Sequence, residues 1–229
     1  MSRHASNVTL VALLLSTLTG CASGAQAVTH LLTMPPRHDP DLDRTGWLTT
    51  RTGITFTDHI QLDGDPYLPS FEPLPTFGIG WTWRFHTLDF GAIIEHVPGA
   101  HTRTLDGEKV RLGDQAMIAA SLRWRFIDQR WGGFYLRGSP GLGVFGTTET
   151  LRGAIAQRQE LSNPGEVGRA GVGFSYSLET GFFLMLTDQV LLQIDVGVVG
   201  LLGSLEVAGQ DQTYERYRGL VRAGLEWRL

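Results

Sequence analysis

The sequence predicts an all-β fold, an eight-stranded antiparallel up-and-down barrel that spans a membrane, and three observations lead to this prediction. Apolar and polar residues alternate with period two in eight segments, as a strand with two different faces requires. The connections between these segments alternate between short and long, which is the loop pattern of membrane barrels. The tryptophans fall near one end of the predicted strands, as an interfacial aromatic belt requires.

Composition agrees with one large all-β domain of 229 residues. Glycine contributes 29 residues, well above the average of roughly 7%, and suits strands that bend around a crowded interior. Beyond the N-terminus, no stretch provides the roughly 20 apolar residues of a membrane-spanning helix. The net charge of −4 gives no reason to expect nucleic acid as a partner.

The N-terminal residues 1–20 are predicted to be a signal peptide, because Arg3 precedes an apolar run over 8–18. This run ends in Leu18-Thr19-Gly20-Cys21. That ending resembles a bacterial lipobox, and the resemblance implies that the thiol of Cys21 receives a diacylglycerol and becomes the mature N-terminus. The alternative is ordinary cleavage after Ala27, which also follows small residues.

Residues 21–43 are predicted to form a lipidated tether that links the membrane to the first strand. Pro35, Pro36 and Pro40 exclude a regular helix or strand there. Ala22 follows the cysteine, and within the lipobox resemblance this implies sorting to the outer membrane.

The barrel is predicted over 44–229, with its strands separated by turns and loops. The predicted strands lie at about 44–56, 73–85, 88–97, 113–127, 131–146, 168–186, 189–207 and 214–229. In the last strand one face is apolar and the other carries Gly, Arg and Glu, which suits an apolar outer wall and a polar lumen. The alternative is a soluble lipocalin-like barrel, with the apolar residues inside.

The connections 86–87, 128–130 and 187–189 are short, whereas 57–72, 98–112 and 147–167 are long and polar. The fourth connection on the long side, 208–213, is shorter. Short periplasmic turns and long external loops are typical of outer-membrane barrels. This pattern predicts that both termini are periplasmic.

An aromatic girdle is predicted at the periplasmic strand ends, and Trp47 is expected near the same level. The residues predicted for this girdle are Trp81, Trp83, Trp124, Trp131 and Trp227. The alternative is that these tryptophans pack in the core of a soluble sandwich.

Charged residues of both signs are predicted to face the lumen. An eight-stranded barrel is just wide enough for side chains to fill it, and unpaired buried charges are costly. We therefore expect an ion-pair network, with a proton or small-ion path as the alternative. The residues predicted for this network are Arg84, Asp89, Glu95, Arg123, Arg125, Arg137, Glu179, Asp195, Arg222 and Glu226.

The C-terminal segment 222–229 contains Gly224, Trp227 and Leu229 at the spacing of a terminal signal. It resembles the assembly signal of bacterial outer-membrane barrels, with Leu229 in place of the usual final aromatic residue. Together with the strand pattern from about Arg44 onward, the chain resembles the small eight-stranded outer-membrane barrels, the outer membrane protein A, X and W types. This resemblance implies insertion by the outer-membrane barrel assembly machinery.

Some small barrels modify lipid A, and the deacylase type uses a His-x-Ser pair. The His-x-Ser of this chain is His4-Ala5-Ser6, within the predicted signal peptide. His96 has Glu95 beside it, but adjacent strand residues point to opposite faces, so Glu95 cannot readily orient His96. The acidic first loop around Asp58 and Asp63 could bind a cation, although a solvated loop is the simpler interpretation. We predict no catalytic residue, metal or cofactor.

The sequence therefore predicts a non-enzymatic outer-membrane lipoprotein barrel with a structural or loop-mediated surface role. Its expected partners are outer-membrane lipids and lipopolysaccharide, together with the assembly machinery, and the surface partner is not identified. The alternatives are a narrow conduit for small hydrophobic molecules or ions and a lipid A-modifying barrel enzyme.

Overall fold

The computed structural model describes residues 45–63, 65–66, 73–99, 101–103, 109–129 and 131–229. The predicted signal peptide 1–20, the tether 21–43 and Cys21 lie outside the described residues.

Eight long strands of the described chain form the barrel wall, and three short strands lie outside it. The wall strands are β1 (Gly46–Leu62), β3 (Leu74–Phe85), β4 (Leu88–Val97), β7 (Gln115–Gln129), β8 (Gly132–Gly146), β9 (Ala170–Met185), β10 (Val190–Val207) and β11 (Gln210–Arg228). The short strands are β2 (Asp65–Pro66), β5 (His101–Arg103) and β6 (Lys109–Arg111), and one helix, α1, spans Glu149–Arg158.

Each wall strand pairs antiparallel with its neighbour in the order β1-β3-β4-β7-β8-β9-β10-β11. The ring is closed by β11, which pairs with β1 from Trp47↔Arg228 to Leu62↔Tyr214. Closure leaves no unpaired edge strand in this wall. The predicted fold class, an eight-stranded antiparallel up-and-down barrel, is confirmed.

The two faces of the wall have opposite polarity, and the apolar face points outward. Along β7, burial alternates from Gln115 to Phe126, with Arg123 and Arg125 inside and Trp124 and Phe126 outside. Large apolar side chains on the outer face are strongly exposed, including Phe77 at 58% and Leu142 at 68%. This polarity is the reverse of that in a soluble barrel.

Two register shifts interrupt the described wall strands and explain where the predicted strand ends were too short. One lies between Phe56 and Asp58 of β1, and the other lies between Arg125 and Ile127 of β7. A bulge adds one residue to a strand and reverses its alternation. Both strands continue past the bulge, β1 to Leu62 and β7 to Gln129.

The two ends of the barrel differ, and we name them the terminal end and the loop end. Both Thr45 and Leu229 lie at the terminal end, together with the tight turn at His86–Thr87. At the loop end, β10 and β11 pair up to Val207↔Gln210. The predicted loop over 208–213 was therefore wrong, because Ala208 and Gly209, both at positive φ, make a two-residue hairpin turn.

The other loop-end connections are longer. Residues 98–114 include the β5–β6 hairpin, and 147–169 include α1. Within the described residues, no helix combines the length and the hydropathy needed to cross a membrane.

Candidate functional site: the filled lumen and the outer wall

The lumen contains a network of ion pairs that balances in charge. Among the described residues, six arginines and six carboxylates take part in it through contacts within 4.0 Å. The arginines are Arg51, Arg84, Arg123, Arg125, Arg137 and Arg222, and the acids are Asp89, Glu95, Asp128, Glu179, Asp195 and Glu226. Each of these twelve charged groups lies within 4.0 Å of an opposite charge, which offsets the cost of burying it. The buried Arg216 and Arg218 donate to the backbone carbonyls of Gly113 and Pro98.

Glu179 lies at the centre of one half of the network. Its carboxylate accepts from Arg51 Nη1 at 3.1 Å, Arg137 Nη1 at 3.3 Å and Arg222 Nη2 at 3.3 Å. The hydroxyl of Ser177 donates to it at 2.6 Å. Three strands beside its own are thereby joined through one side chain, which is fully buried.

The other half of the network extends toward the terminal end. Arg123 donates to both oxygens of Glu226, at 2.7 and 2.9 Å, in the bidentate geometry that makes arginine–carboxylate pairs strong. Arg125 pairs with Asp89 at 3.1 Å and with Asp128 at 2.6 Å. Arg84 joins the same Asp128 at 2.8 Å.

The structure places all ten sequence-predicted lumen residues inside the barrel, each no more than 8% exposed. It adds partners that the sequence analysis missed. Arg51 shares the inward phase of β1, Asp128 follows the bulge of β7, and Gln193 accepts from Arg137 at 2.7 Å. Tyr135 hydrogen-bonds Asp195, and the guanidinium groups of Arg123 and Arg137 each lie 5.1 Å from its ring centroid.

An apolar cluster closes the lumen at the terminal end. Its buried members are Trp47, Tyr135, Phe183 and Leu191. Trp47 lies at the terminal end, the level expected for it, but its side chain is 2% exposed and points into the lumen rather than toward the outer belt. Trp47 and Arg51 are four residues apart on β1, and both side chains face the lumen, as the alternation of a strand requires.

The five tryptophans predicted for the girdle lie on the outer wall. Trp81, Trp124 and Trp131 are 40%, 49% and 40% exposed, whereas Trp83 and Trp227 are half-buried. Trp83 stacks edge-on against Trp81 with a centroid distance of 5.5 Å. Trp81, Trp83, Trp124 and Trp227 lie in the halves of their strands nearer the terminal end, and Trp131 immediately precedes β8 at that end.

A second, larger apolar cluster fills the loop end, and α1 forms part of it. Leu151, Ala154, Ile155 and Ala156 of the helix pack with side chains from the wall strands and from the segment that follows β6. Those partners are Ile60, Leu62, Val110, Leu112, Phe145, Val167, Leu201, Leu205, Val207 and Tyr214. The segment 147–167 was predicted only as a long polar loop. The packing of its helix on the loop-end cluster, which we call the cap, was not predicted.

Local signals explain why the helix forms there. Thr148 caps its N-terminus by accepting from the backbone N–H of Leu151 at 3.2 Å. Asn163 and Glu166 form a capping box around the following 3-10 turn, Pro164–Glu166. Phe145 and Tyr214 stack beneath the cap with a centroid distance of 3.9 Å. The mouth of the barrel is therefore filled by packed side chains.

Two cavities in the described part of the chain open on the outer wall. The larger one, about 610 Å³, crosses the wall from Leu192 of β10 to Ala116 of β7. Phe77, Ile79, Ile94 and His96 are among its outward lining residues, and the inward residues Arg51 and Glu95 also line it. We call it the wall groove. The smaller one, about 460 Å³, lies over Ala92, Ala120 and Pro140. Small side chains between large ones leave these grooves in the apolar surface.

His96 stands at the loop-end edge of the wall groove and pairs with Asp114, Nε2 to Oδ2, at 3.3 Å. Glu95, its sequence neighbour, points into the lumen instead. The backbone N–H of Gly99 donates to Asp114 Oδ1 at 3.0 Å and holds the pKa of that carboxyl below its ordinary value, with His96 adding to the effect. An acid from the next wall segment thus orients the ring.

A metal site is not formed by the described side chains, since no group of three or more His, Cys, Asp or Glu residues in those ranges could hold an ion. Of the acidic first loop, the segment 67–72 lies outside the described residues.

Comparisons with known proteins give distant likenesses in architecture. The crystal structure of Neisserial surface protein A is 13% identical, with 80% of this chain and 97% of that chain covered and a TM-score of 0.48. The outer membrane protein OprG from Pseudomonas aeruginosa is 15% identical, with coverage of 82% and 97% and a TM-score of 0.45. Ail, the attachment invasion locus protein of Yersinia pestis, is 14% identical, with coverage of 81% and 99% and a TM-score of 0.36. No family model matches the sequence, and neither does any curated protein.

Proposed function

We propose that this chain is a non-conducting, non-enzymatic barrel of the bacterial outer membrane, with a structural or surface-interaction role at its loop end. One observation carries the proposal: an apolar outer wall surrounds a lumen filled with paired charges. A wall of this polarity is stable only against lipid, because dozens of exposed large apolar side chains would face water otherwise.

The filled lumen argues against a conduit. Ion pairs occupy its middle, and apolar clusters occupy both ends. A hydrophobic molecule would have to cross a layer of buried charges, and an ion would have to cross packed apolar side chains. Neither barrier can be passed without disrupting many contacts at once.

The enzyme alternative has one observation in its favour, the His96–Asp114 pair at the edge of the wall. An acyl hydrolase needs a hydroxyl within hydrogen-bonding distance of the histidine. The Asp114 carboxylate occupies Nε2, and the residues that pair with His96 on the two neighbouring strands, Phe77 and Ala116, carry no hydroxyl. We therefore assign the pair a binding role rather than a catalytic one.

Three further features belong to the proposal. Cys21 is the lipid anchor, both termini lie in the periplasm, and the loop end faces the exterior. The short connections at the terminal end and the long ones at the loop end support this orientation. Recognition by the assembly machinery is proposed from Gly224, Trp227 and Leu229.

The first test is the folded state of the protein in isolated outer membranes. We expect a band that shifts on boiling in SDS gels and that stays in the membrane through a carbonate wash. The same protein in planar bilayers should give no discrete conductance, while an open porin reconstituted in parallel should conduct. Release by washing, or stepwise currents from the purified protein, would contradict the proposal.

The lipid anchor is tested separately with Cys21→Ser. In the wild type, a labelled fatty acid should be incorporated into the protein, and in the variant this label should be lost. Because the barrel is itself integral, the variant should remain heat-modifiable if it reaches the membrane. Equal labelling of both proteins would remove Cys21 as the anchor.

A further inference from the structure

We propose that the wall groove and the basic β5–β6 hairpin above it form a binding site for a phosphate-bearing lipid of the loop-end leaflet. An acyl chain lies in the groove, and the phosphate contacts the hairpin. The inference rests on the proposed function, since it requires the outer wall to face lipid.

The groove has the shape and polarity that an acyl chain needs. It crosses the outer face from Leu192 of β10 to Ala116 of β7, and over β3 and β4 Phe77 pairs with His96 and Ile79 pairs with Ile94. Phe77, Ile79 and Ile94 are 58%, 52% and 56% exposed, and the small Ala116 leaves room beside them. Leu192, Ala223 and Leu225 continue its apolar lining across β10 and β11. Lipid tails gain contact area in such a depression.

Polarity changes abruptly at the loop-end edge of the groove. Toward the loop end, Ile94 is followed on the same face by His96, and Ala116 is preceded by Asp114. The side chains of His96 and Asp114 are 50% and 56% exposed. A paired His and Asp after a run of apolar residues marks the level at which hydrocarbon gives way to headgroups.

Beyond this level, the β5–β6 hairpin carries basic residues on one face. His101 pairs with Arg111, and Lys109 lies two residues before Arg111 on β6, so these three positions share a face. Val110, on the opposite face, is fully buried in the cap, and Lys109 and Arg111 are exposed. Arginine and lysine at the headgroup level bind phosphate through charge-assisted hydrogen bonds.

The hairpin is held in place by α1. The backbone N–H of Arg111 donates to Thr150 Oγ1 at 3.1 Å, and its carbonyl accepts from the hydroxyl of Thr148. Thr148 also accepts from the first turn of α1, so this one residue holds the helix and strand β6 together. A site on a rigid support loses less entropy when it binds a ligand.

The two sides of the loop end differ in charge, and we expect phosphate on the side that carries Lys109 and Arg111. In the ring order, β4 and β7 lie across from β10 and β11. The β10–β11 hairpin carries the exposed acids Glu206 and Asp211, which repel phosphate. On the basic side, Asp114 is already bound to Gly99 and His96, and Glu149 is exposed in the first turn of α1. Asp106 and Glu108 of the connecting segment lie outside the described residues. A lipid headgroup without net charge would gain little binding energy from this difference in charge.

The test measures lipid retained on the purified full-length barrel by native mass spectrometry after mixing with a diphosphorylated lipid A or with the same lipid after phosphatase treatment. We expect the phosphorylated form to bind at least tenfold more tightly. The double variant Lys109→Gln/Arg111→Gln should lose about tenfold to thirtyfold of this binding. Arg169→Gln, which removes an exposed cation elsewhere at the loop end, is the matched control and should bind as the wild type does.

A second pair of variants tests the groove. Ala116→Phe fills it and should weaken binding of the phosphorylated lipid, whereas Val172→Phe enlarges an exposed side chain of β9, which does not line the groove, and should not. Equal retention of both lipids, unchanged binding by the double variant, or saturation of the site by inorganic phosphate alone would overturn the inference. So would association of two barrels through this face, detected by crosslinking.

Failure of the inference differs from failure of the proposed function. A protein that shifts on boiling but binds both lipids equally retains the proposed function and lacks the site. A protein that shows no boiling shift does not form the membrane barrel, and no folded barrel is then present for the lipid-binding measurement.

Discussion

At the residue scale, individual side chains in the lumen each stabilise several strands. Glu179 is the clearest case, because Arg51, Arg137 and Arg222 approach it from three other strands. The protein interior screens charge poorly, so these contacts are strong while they are complete and costly when one partner is missing. The lumen therefore behaves as one unit, and the removal of a single charge affects the whole ring.

Glu179→Gln should destabilise the folded barrel strongly. The substitution keeps the shape of the side chain but leaves three arginines around a neutral amide, with an expected loss of about 3–5 kcal/mol in the free energy of unfolding. Urea titration of the boiling shift measures this loss. Glu206→Gln, an exposed acid of the β10–β11 hairpin, is the control and should change the midpoint little. Equal midpoints for the two variants would mean that the network does not stabilise the barrel.

Close approach between strands is the second residue-scale constraint. A Cβ on Gly91 would overlap the carbonyl oxygen of Trp81 on the neighbouring strand, whereas a Cβ on Gly138 would meet nothing within 4 Å. Gly91→Ala should therefore cost about 1–3 kcal/mol, and Gly138→Ala should be neutral or slightly stabilising. The same urea titration compares them, and a tolerated Gly91→Ala would show that β3 and β4 can separate without loss.

At the element scale, the alternation of side chains predicted the wall strands well and the loop end poorly. Seven of the eight predicted strands differ from the observed bounds by at most four residues at either end, because an apolar outer face and packed charges on the inner face enforce period two. β1 is the exception at its far end. Its bulge after Phe56 reverses the phase, so Ile60 and Leu62 point inward although an unbroken alternation would turn them outward.

The cap could not be predicted from the same pattern. α1 is ten residues long, and its burial depends on partners from strands distant in the sequence, such as Leu201 and Tyr214. Its capping residue Thr148 and its acidic first turn were readable signals. The charged lumen residues were predicted from phase alone, but which arginine meets which acid depends on the stagger of the strands, which alternation does not encode.

The helix α1 should unfold locally while the strands of the barrel wall stay folded. Ile155→Ala removes a buried side chain from the cap and should cost about 2–5 kcal/mol locally, and Gly153→Ala should stabilise the helix by roughly 1 kcal/mol because a Cβ there meets nothing. Limited trypsin digestion of the folded protein should cut faster in the first variant and slower in the second, at Arg158. Equal cleavage rates, with an unchanged boiling shift, would show that α1 is not coupled to this packing.

At the scale of the whole molecule, closure between the first and last strands completes the barrel. The pairing of β1 with β11 runs nearly the full length of both strands, so the chain cannot close until its C-terminus is in place. This seam lies between segments that are farthest apart in sequence, and such contacts form late because their loop-closure entropy is large. The ring therefore closes only after the last strand, β11, is in place beside β1.

The C-terminal residues should separate recognition from stability. The side chain of Leu229 is 73% exposed, although its backbone N–H donates to Gly46 at 2.9 Å, so Leu229→Asn should refold in detergent as the wild type does. If the terminal segment is an assembly signal, the same variant should accumulate less heat-modifiable protein in cells, and Leu229→Phe should accumulate more. Gly224→Ala is the contrast, because its Cβ would press on Gln193 and on the Thr50 carbonyl, and it should lower both yields. Equal cellular yields for all three Leu229 proteins would mean that insertion does not depend on this position.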